Sequence, residues 1–199
     1  MKKLLTVVLS VLLCTSAFAQ FGIIGGWTSA STQLNGSFDQ LSTKNVNHFH
    51  LGIAYKIPVG ALLTVQPALE YNVKGADISL PDIPGSNVVL STGFVELPVQ
   101  LQLGLNLHFF RLFALGEPFV GYAVNNTSSI QLTQDKWGDV ANRFEYGIGA
   151  GGGVELFDHL QITARYYWNM APLYSFDIKG VNLANTKCGG VKISAAILF

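Results

Sequence analysis

The chain ends in Cys188 to Phe199, CGGVKISAAILF, and this stretch decides the fold. Every second residue from Val191 to Phe199 is apolar, whereas Lys192 and Ser194 between them are charged or polar. A period of two is typical of a β-strand that buries one face. Because no helix follows to cover the free edge, we expect the N–H and C=O groups of this strand to pair with the first strand and close a barrel.

Residues 1–19, MKKLLTVVLSVLLCTSAFA, have the composition of a secretory signal peptide. A basic start is followed by an apolar stretch and by a small-x-small cleavage site before Gln20. We therefore predict a signal peptide at 1–19 and a mature barrel domain at 20–199. Cys14 allows a lipoprotein signal instead, but Leu13 stands where such signals carry a small residue.

The composition excludes several classes of function. The 12 basic and 12 acidic residues cancel, so there is no electrostatic case for a nucleic-acid partner. Hydrophobic residues make up 49% of the chain, yet no run of about 18 apolar residues follows the signal. High apolarity without membrane helices favours spread-out strands. Cys188 is the only cysteine after the signal, so the mature chain is expected to hold no internal disulfide.

Eight segments of the mature chain alternate between polar and apolar residues, each close to the length of about 9–11 residues that crosses a membrane as a tilted strand. The segments are 21–28, 48–57, 62–74, 94–107, 112–124, 143–156, 160–170 and 188–199. Long connections alternate with short ones, and the long ones are 29–45, 75–91, 125–142 and 171–187. Outer-membrane barrels show this asymmetry, with long extracellular loops and short periplasmic turns. We predict an all-β fold, an eight-stranded antiparallel up-and-down transmembrane β-barrel with both chain ends on the periplasmic side.

The polar face of these segments indicates which side of the sheet points inward. It carries four basic and five acidic residues: Lys56, Glu70, Lys74, Glu96, Glu117, Glu145, Glu155, Arg165 and Lys192. They are too few to cover a soluble domain of this size, and they are close to balance. We therefore predict that they form a structural ion network in the lumen, with Lys74 and Glu96 opposite each other near the outer rim. The fifth segment is the least regular, because its alternation is weak.

The aromatic residues indicate the same orientation. Those near the loop ends or the turn ends of the segments are Trp27, Phe49, Tyr55, Tyr71, Tyr122, Tyr146, Trp168 and Phe199. Two belts of aromatic side chains at two heights are typical of a barrel that meets lipid at two interfaces. The predicted location is therefore the outer membrane of a bacterium, with membrane lipid around the barrel.

Five stretches also resemble a known family. They are FHLGIAYKIPV (49–59), VQPALEYNVKGA (65–76), FVELPVQL (94–101), YGIGAGGGVEL (146–156) and LQITARYYWN (160–169). Together they resemble the PorT-type outer-membrane β-barrel family of Bacteroidetes over nearly all of the mature chain. The resemblance implies this architecture and an outer-membrane location, and it brings no catalytic residues with it. The chain departs from the family at Cys188 and in the fifth segment.

Three groups of residues are candidates for a metal site, a catalytic site or a special structural role. His48 and His50 lie two apart on one strand face, which is compatible with a metal site, but we expect them to be solvent-exposed at the rim. Ser194 is a candidate nucleophile, but we expect it to lie deep in the last strand with no histidine at its level. The glycines at 147, 149, 151 and 153 are expected to make room for Arg165, Tyr167 or Phe119 across the lumen. The prediction is no catalytic site, no metal and no cofactor.

The expected function is binding. We expect a monomeric, non-catalytic barrel whose extracellular loops contact a protein partner, in surface interaction, adhesion or support of export. Its C-terminal strand is expected to contact the outer-membrane assembly machinery. The alternative hypothesis is a barrel with a narrow passage for a small solute or lipid. A third hypothesis is a lipid-modifying enzyme.

Overall fold

Ten β-strands make up the computed structural model, which describes residues 20–33, 43–44, 46–79, 87–107, 109–128, 143–171, 174–178 and 181–199. The strands are β1 (Gln20–Gln33), β2 (Thr43–Lys44), β3 (Val46–Val59), β4 (Leu63–Ser79), β5 (Asn87–Leu107), β6 (Phe110–Ser128), β7 (Phe144–Leu156), β8 (Leu160–Asn169), β9 (Tyr174–Ile178) and β10 (Val181–Leu198). The described ranges hold no helix that is long and apolar enough to cross a membrane. The predicted signal peptide at 1–19 lies outside them.

Eight of the strands close into a barrel. Each pairs with its neighbour in the order β1, β3, β4, β5, β6, β7, β8, β10. The ring is completed by antiparallel pairing of β1 with β10, from Gly22 opposite Leu198 to Gln33 opposite Lys187. The predicted eight-stranded antiparallel barrel is therefore confirmed, and the last strand pairs with the first as expected. The short strands β2 and β9 extend the sheet at β4 and β10.

Several strands are longer than predicted. The ladder between β4 and β5 continues to Ser79 opposite Asn87, although the alternation ends near residue 74. Apolar alternation is required only where one face meets lipid, whereas backbone pairing continues beyond that region. Most of the predicted loop at 75–91 is therefore a hairpin extension, and only residues 80–86 of it lie outside the described residues.

Two features distinguish β6, a bulge at its loop end and an apolar inward face, and only the second accounts for the weak polar alternation at 112–124. Val124 is an extra residue, because Phe94 stands opposite Ala123 while Gly93 stands opposite Asn125. Such a bulge shifts the face to which the following residues point. In addition, the inward face of this strand is largely apolar, with Phe113, Leu115 and Phe119 all buried. Both faces of β6 are therefore apolar over much of its length, so polarity does not distinguish them.

The glycines of β7 leave the space that large inward side chains occupy. A Cβ added to Gly147 would lie 2.6 Å from Phe119 Cζ, and one added to Gly153 would lie 2.6 Å from Phe113 Cζ. A Cβ at Gly151 would instead meet the backbone of the neighbouring strand β8, with Arg165 Cα at 2.6 Å. The expectation is therefore confirmed for Phe119 at Gly147. Gly153 makes room for Phe113 instead, and a Cβ at Gly149 would come no closer than 3.3 Å to any other atom.

The polarity of the barrel is the reverse of that of a soluble protein. Its large hydrophobic side chains point outward, and Leu103, for example, is 63% exposed. Charged and amide side chains fill the inside, where Glu70, Gln66 and Gln100 are all fully buried. A wall of leucine, isoleucine and aromatic side chains facing outward is stable only against lipid.

Candidate functional site in the barrel lumen

A continuous chain of ion pairs crosses the upper part of the lumen, towards the loop ends of the strands. Each acidic residue in it alternates with a basic one, in the order Glu145, Lys74, Glu96, Lys192, Glu70, Arg165, Glu117. Their N···O distances run from 2.8 to 3.1 Å. The seven residues come from β4, β5, β6, β7, β8 and β10. All are fully or almost fully buried, so the chain ties six strands together across the barrel.

The strand register explains how this chain is built. Glu70 on β4 stands directly opposite Glu96 on β5, and Lys192 from the closing strand binds both carboxylates. Lys74 stands opposite Thr92, not opposite Glu96 as predicted. It nevertheless reaches Glu96 at 2.8 Å, because its long side chain extends diagonally across the ladder. The predicted pair therefore forms, although the predicted register was wrong.

The end of the chain at Glu117 is less well satisfied than the rest. Arg165 Nε lies 3.0 Å from Glu117 Oε1, but the geometry is that of an ion pair without a good hydrogen bond. Glu117 Oε2 has no hydrogen-bond partner among the described residues. The upper chain also holds four carboxylates for three cations, so it carries a formal surplus of one negative charge.

The expected exposure of His50 and the expected absence of a histidine near Ser194 are both wrong, whereas Ser194 is buried within the last strand as expected. His50 is not exposed at the rim: it is 1% exposed, and its Nε2 lies 2.7 Å from Ser194 Oγ. Ser194 therefore does have a histidine at its level. His48, by contrast, is half-buried and lies 3.3 Å from Ser91 Oγ, close to the rim. No group of three or more potential metal ligands occurs among the described residues.

The hydrogen bonds around His50 define its tautomer. Asn72 Nδ2 donates to Glu96, so Asn72 Oδ1 is the acceptor for the Thr28 hydroxyl, at 2.9 Å. The hydroxyl of Thr28 has one proton, which it donates to Asn72. His50 Nδ1 must therefore be the donor in its hydrogen bond with Thr28 Oγ1. His50 Nε2 then accepts from Ser194, as a general base accepts from a nucleophile. The network adds β1 and β3 to the upper layer, so all eight barrel strands contribute to it.

A second polar layer lies nearer the turns. Lys56 and Glu155 form an ion pair across the lumen. Arg111 donates from Nη1 to Gln102 at 3.0 Å and lies 3.7 Å from Glu155 Oε2. Glutamines complete the layer, with Gln66 and Gln161 hydrogen-bonded at 3.0 Å. This layer holds two cations for one carboxylate.

Arg111 is an inward charge that the sequence pattern does not predict. The predicted segments 94–107 and 112–124 leave it in the short connection between them, but it is inside the barrel and only 6% exposed. A signal for it was present, since Arg111 is in step with the inward positions Phe113, Leu115 and Glu117. With Arg111, the side chains described in the lumen include five basic and five acidic ones, whose formal charges cancel.

An apolar cluster lies between the two polar layers on one side of the lumen, at β1, β3, β4 and β10. Ile24, Ala54, Ala68 and Ala196 form a buried cluster at this height. On β4, for example, Ala68 lies between Gln66 of the lower layer and Glu70 of the upper one. The nine charged residues predicted from sequence are each at most 6% exposed. The lumen along the described strands is therefore packed with side chains, as expected for an eight-stranded barrel.

The predicted aromatic residues lie on the outer wall. Trp27, Phe49, Tyr122, Tyr146 and Trp168 are exposed, and Tyr55 and Tyr71 are partly exposed. Trp27 stands opposite Phe49, and the Phe49 and Tyr71 rings are 6.5 Å apart, at the loop end of the barrel. Phe199 is 67% exposed at the turn end, where its N–H donates to Phe21 O.

Solved structures of bacterial outer-membrane proteins have a similar fold. OprG from Pseudomonas aeruginosa is 12% identical, with 91% of this chain and 96% of that chain covered and a TM-score of 0.54. Ail from Yersinia pestis is 13% identical, with coverages of 91% and 99% and a TM-score of 0.47. Outer Membrane Protein W from E. coli is 13% identical, with coverages of 91% and 98% and a TM-score of 0.46. At these identities the likeness concerns the fold alone.

The sequence itself gives the family. Among curated protein sequences, none is significantly similar to this chain. The family model described as "outer membrane protein beta-barrel domain" matches residues 16–175, which is most of the chain. The outward apolar wall, the closed ring of eight strands and this match agree on an outer-membrane location. The chain therefore belongs to the outer membrane protein β-barrel domain family.

Proposed function

We propose that this protein is a closed, non-catalytic outer-membrane barrel that binds a partner through its extracellular loops. The observation that carries the proposal is the chain of alternating charges from Glu145 to Glu117, which fills the upper lumen. A barrel whose lumen is filled with ion-paired side chains has no open channel, so it acts through its loops. Loops on a rigid scaffold are the usual place for recognition. The loop residues concerned, 34–42 and 129–142, lie outside the described residues.

The packed lumen argues against the passage of a solute. A permeating molecule would have to separate buried ion pairs such as Lys192 with Glu70 and Arg165 with Glu70. Breaking a buried pair costs about 3–5 kcal/mol, because it leaves a charge without compensation. The second polar layer, with the buried ion pair of Lys56 and Glu155, would add a second barrier. A narrow passage for a small solute or lipid therefore remains the weaker candidate.

The contact between Ser194 and His50 is the one observation in favour of an enzyme. Their geometry suits nucleophilic attack, but both side chains are at most 2% exposed. Arg165 Nη1 also lies 3.2 Å from Ser194 Oγ, so the hydroxyl is held from two sides. A substrate would have no route to this hydroxyl without opening the ion chain. We therefore assign Ser194 and His50 a structural role, and we expect a fluorophosphonate probe to leave Ser194 unlabelled in the folded protein.

Four further parts of the proposal rest on sequence patterns. They are export by a signal peptide at 1–19, membership of the PorT-type family of Bacteroidetes, contact of the C-terminal strand with the outer-membrane assembly machinery, and a monomeric barrel. The exposed terminal Phe199 and the alternating outward residues of β10 support the third of these. The nine inward charges and the eight outward aromatic residues serve as a structural ion network and as two lipid-interface belts.

Loop shortening combined with crosslinking tests the proposal. We expect a variant with residues 34–42 replaced by a short Gly-Ser linker, or a second with 129–142 replaced, to fold but to lose a crosslinked partner in cells. Folding is checked by the change in gel mobility on boiling. A Glu117→Gln variant, altered only inside the lumen, is the control and should keep the partner. The proposal is wrong if both loop variants retain the partner, or if the wild type conducts ions in a planar bilayer and Glu117→Gln changes that conductance.

A further inference from the structure

The ammonium group of Lys74 lies inside an aromatic cage in the upper lumen. Its Nζ is 4.7 Å from the centre of the Phe119 ring, 4.8 Å from that of Tyr167 and 5.5 Å from that of Phe94. A cation within about 6 Å of a ring centre is attracted by the negative face of the ring. The rings come from β6, β8 and β5, and each is at most 4% exposed. Because little water reaches them, this attraction is stronger than it is at a protein surface.

Two carboxylates contact the same ammonium group. Lys74 Nζ lies 2.8 Å from Glu96 Oε1, and it donates to both oxygens of Glu145 at 3.0 and 3.1 Å. Acceptors for its N–H groups therefore stand together with three rings that attract its charge. Such a set suits a primary alkylammonium cation, which has N–H donors and a charge at the end of an apolar chain. A metal ion fits it poorly, because hard cations need several oxygen ligands and the rings supply none.

The carboxylates are held in place by residues other than Lys74. Asn72 Nδ2 donates to Glu96 at 2.7 Å, and Asn169 Nδ2 donates to Glu145. Both asparagines are at most 3% exposed. Each carboxylate therefore keeps a buried hydrogen bond when the lysine is removed, so this part of the cage does not depend on its present occupant.

The rings are likewise supported by each other and by the barrel wall. Phe119 and Tyr167 meet edge to face, with ring centres 6.3 Å apart and an interplanar angle of 80°. Aromatic pairs prefer this geometry. Phe119 also fills the space beside Gly147, where a Cβ would lie 2.6 Å from its Cζ. The cage is therefore built into the barrel, and the lysine side chain occupies it.

We propose that this cage is a binding site for one primary alkylammonium group and that Lys74 is its internal ligand. The N–H groups of the ligand bind Glu96 and Glu145, and its charge lies beside the three rings. In the wild type the lysine fills the site, so it excludes external amines from the upper lumen. Replacement of Lys74 by alanine removes Cγ, Cδ, Cε and Nζ, and n-propylammonium contains the same three carbons and nitrogen. The vacated cage then takes this cation from solution.

Urea unfolding in lipid vesicles, followed by tryptophan fluorescence, tests this inference with n-propylammonium chloride as the probe. We expect Lys74→Ala to unfold at a lower urea concentration than the wild type. The added amine should move its midpoint back towards the wild-type value, because a ligand that binds only the folded state stabilises it. Each titration point is an unfolding equilibrium, so the amine reaches the cage without crossing the packed lumen. The wild-type midpoint should not respond, since Lys74 already occupies the site.

The contribution of the rings is tested in the Lys74→Ala background. Adding Phe119→Leu removes one ring and keeps an apolar side chain, so it should weaken the apparent affinity for n-propylammonium about fivefold. Lys56→Ala is the matched control. The Lys56 ammonium is also buried in an ion pair, with Glu155, but it has no cation–π contact in the described part of the chain. The midpoint of this control should respond to n-propylammonium no more than to sodium chloride.

Sodium chloride and 1-propanol, each at the concentration of the probe, distinguish the cage from simpler causes. If sodium chloride restores Lys74→Ala as well as n-propylammonium does, only charge is missing and the proposal is wrong. If 1-propanol restores it as well, only apolar volume is missing and the proposal is equally wrong. An unchanged midpoint of Lys74→Ala without additive would also contradict it. Folding of this variant only in the presence of the amine supports the site. Failure to fold even with the amine counts against the site, because the bound amine replaces every removed heavy atom.

Discussion

Glu70 and Glu96 face each other directly across the ladder of β4 and β5, inside the barrel and almost fully buried. Two like charges at opposed positions destabilise a sheet. Here the Nζ of Lys192 lies 2.8 Å from Glu70 and 3.0 Å from Glu96, so one ammonium group compensates both. Lys192 belongs to β10, the strand that closes the barrel with β1. Charge compensation in the lumen and closure of the ring therefore depend on the same strand.

Removal of this ammonium should be strongly destabilising. We expect Lys192→Met to lower the free energy of unfolding by about 3–5 kcal/mol, because Glu70 and Glu96 are left facing each other with less compensation. Urea unfolding in lipid vesicles, followed by tryptophan fluorescence, measures the change. The double variant Lys192→Met with Glu96→Gln should recover part of the loss, since one of the opposed charges is then gone. Wild-type stability of the single variant would show that the central pairing contributes little.

The hydroxyl of Ser194 should matter for stability. Ser194→Ala removes the donor to His50 Nε2 and an acceptor for Arg165, both in a buried layer. A buried polar group without its partner costs about 1–3 kcal/mol. Ser91→Ala is the matched control, because Ser91 is only part-buried and contacts His48 near the rim; a change of at most about 0.5 kcal/mol is expected there. Equal losses in the two variants, measured by the same urea titration, would contradict the buried network.

Replacement by alanine should affect stability differently at two glycines, one facing the lumen and the other facing outward. A Cβ at Gly147 would meet the backbone oxygen of Trp168 and, at 2.6 Å, Phe119 Cζ, whereas nothing lies within 4 Å of a Cβ at Gly116. We expect Gly147→Ala to lower the midpoint of urea unfolding, with a loss of about 1–3 kcal/mol from overpacking. Gly116→Ala should be neutral or slightly stabilising, since it adds a methyl group towards lipid. Similar effects of both would mean that the Trp168 carbonyl and the Phe119 ring do not confine the space beside Gly147.

The cost of a charged side chain on the outer wall should depend on its depth in the membrane. Leu101 lies mid-strand on β5 and Val59 lies beside a turn, and both point outward and are exposed. Leu101→Arg should lower the free energy of unfolding in lipid vesicles by about 2–4 kcal/mol, and Val59→Arg by about 0–1 kcal/mol, because the cost falls from the bilayer midplane to the interface. If Leu101→Arg instead made the protein soluble in buffer without detergent, the outward wall would not be in contact with lipid.

The strands, their number and their inward faces could be predicted from the sequence because each depends on a local pattern of period two. Alternation also placed nine of the ten inward charged residues described in the barrel on one face of their strands. The pattern failed where its physical basis was absent. It ended short of the ends of β4 and β5. It also left Arg111 between two predicted segments, because both faces of β6 are apolar at this end of the strand.

The sequence alone was sufficient for the closed eight-stranded barrel and its outer-membrane location, since backbone pairing and lipid exposure act on every residue through its immediate neighbours. Only the tertiary structure decided which charges meet, because contacts such as Arg165 with Glu70 and Lys56 with Glu155 join residues 95 and 99 positions apart. The approach of His50 to Ser194, 144 positions along the chain, has the same origin. Contacts across a lumen depend on the stagger of all eight strands together, and no local pattern in the chain encodes that stagger.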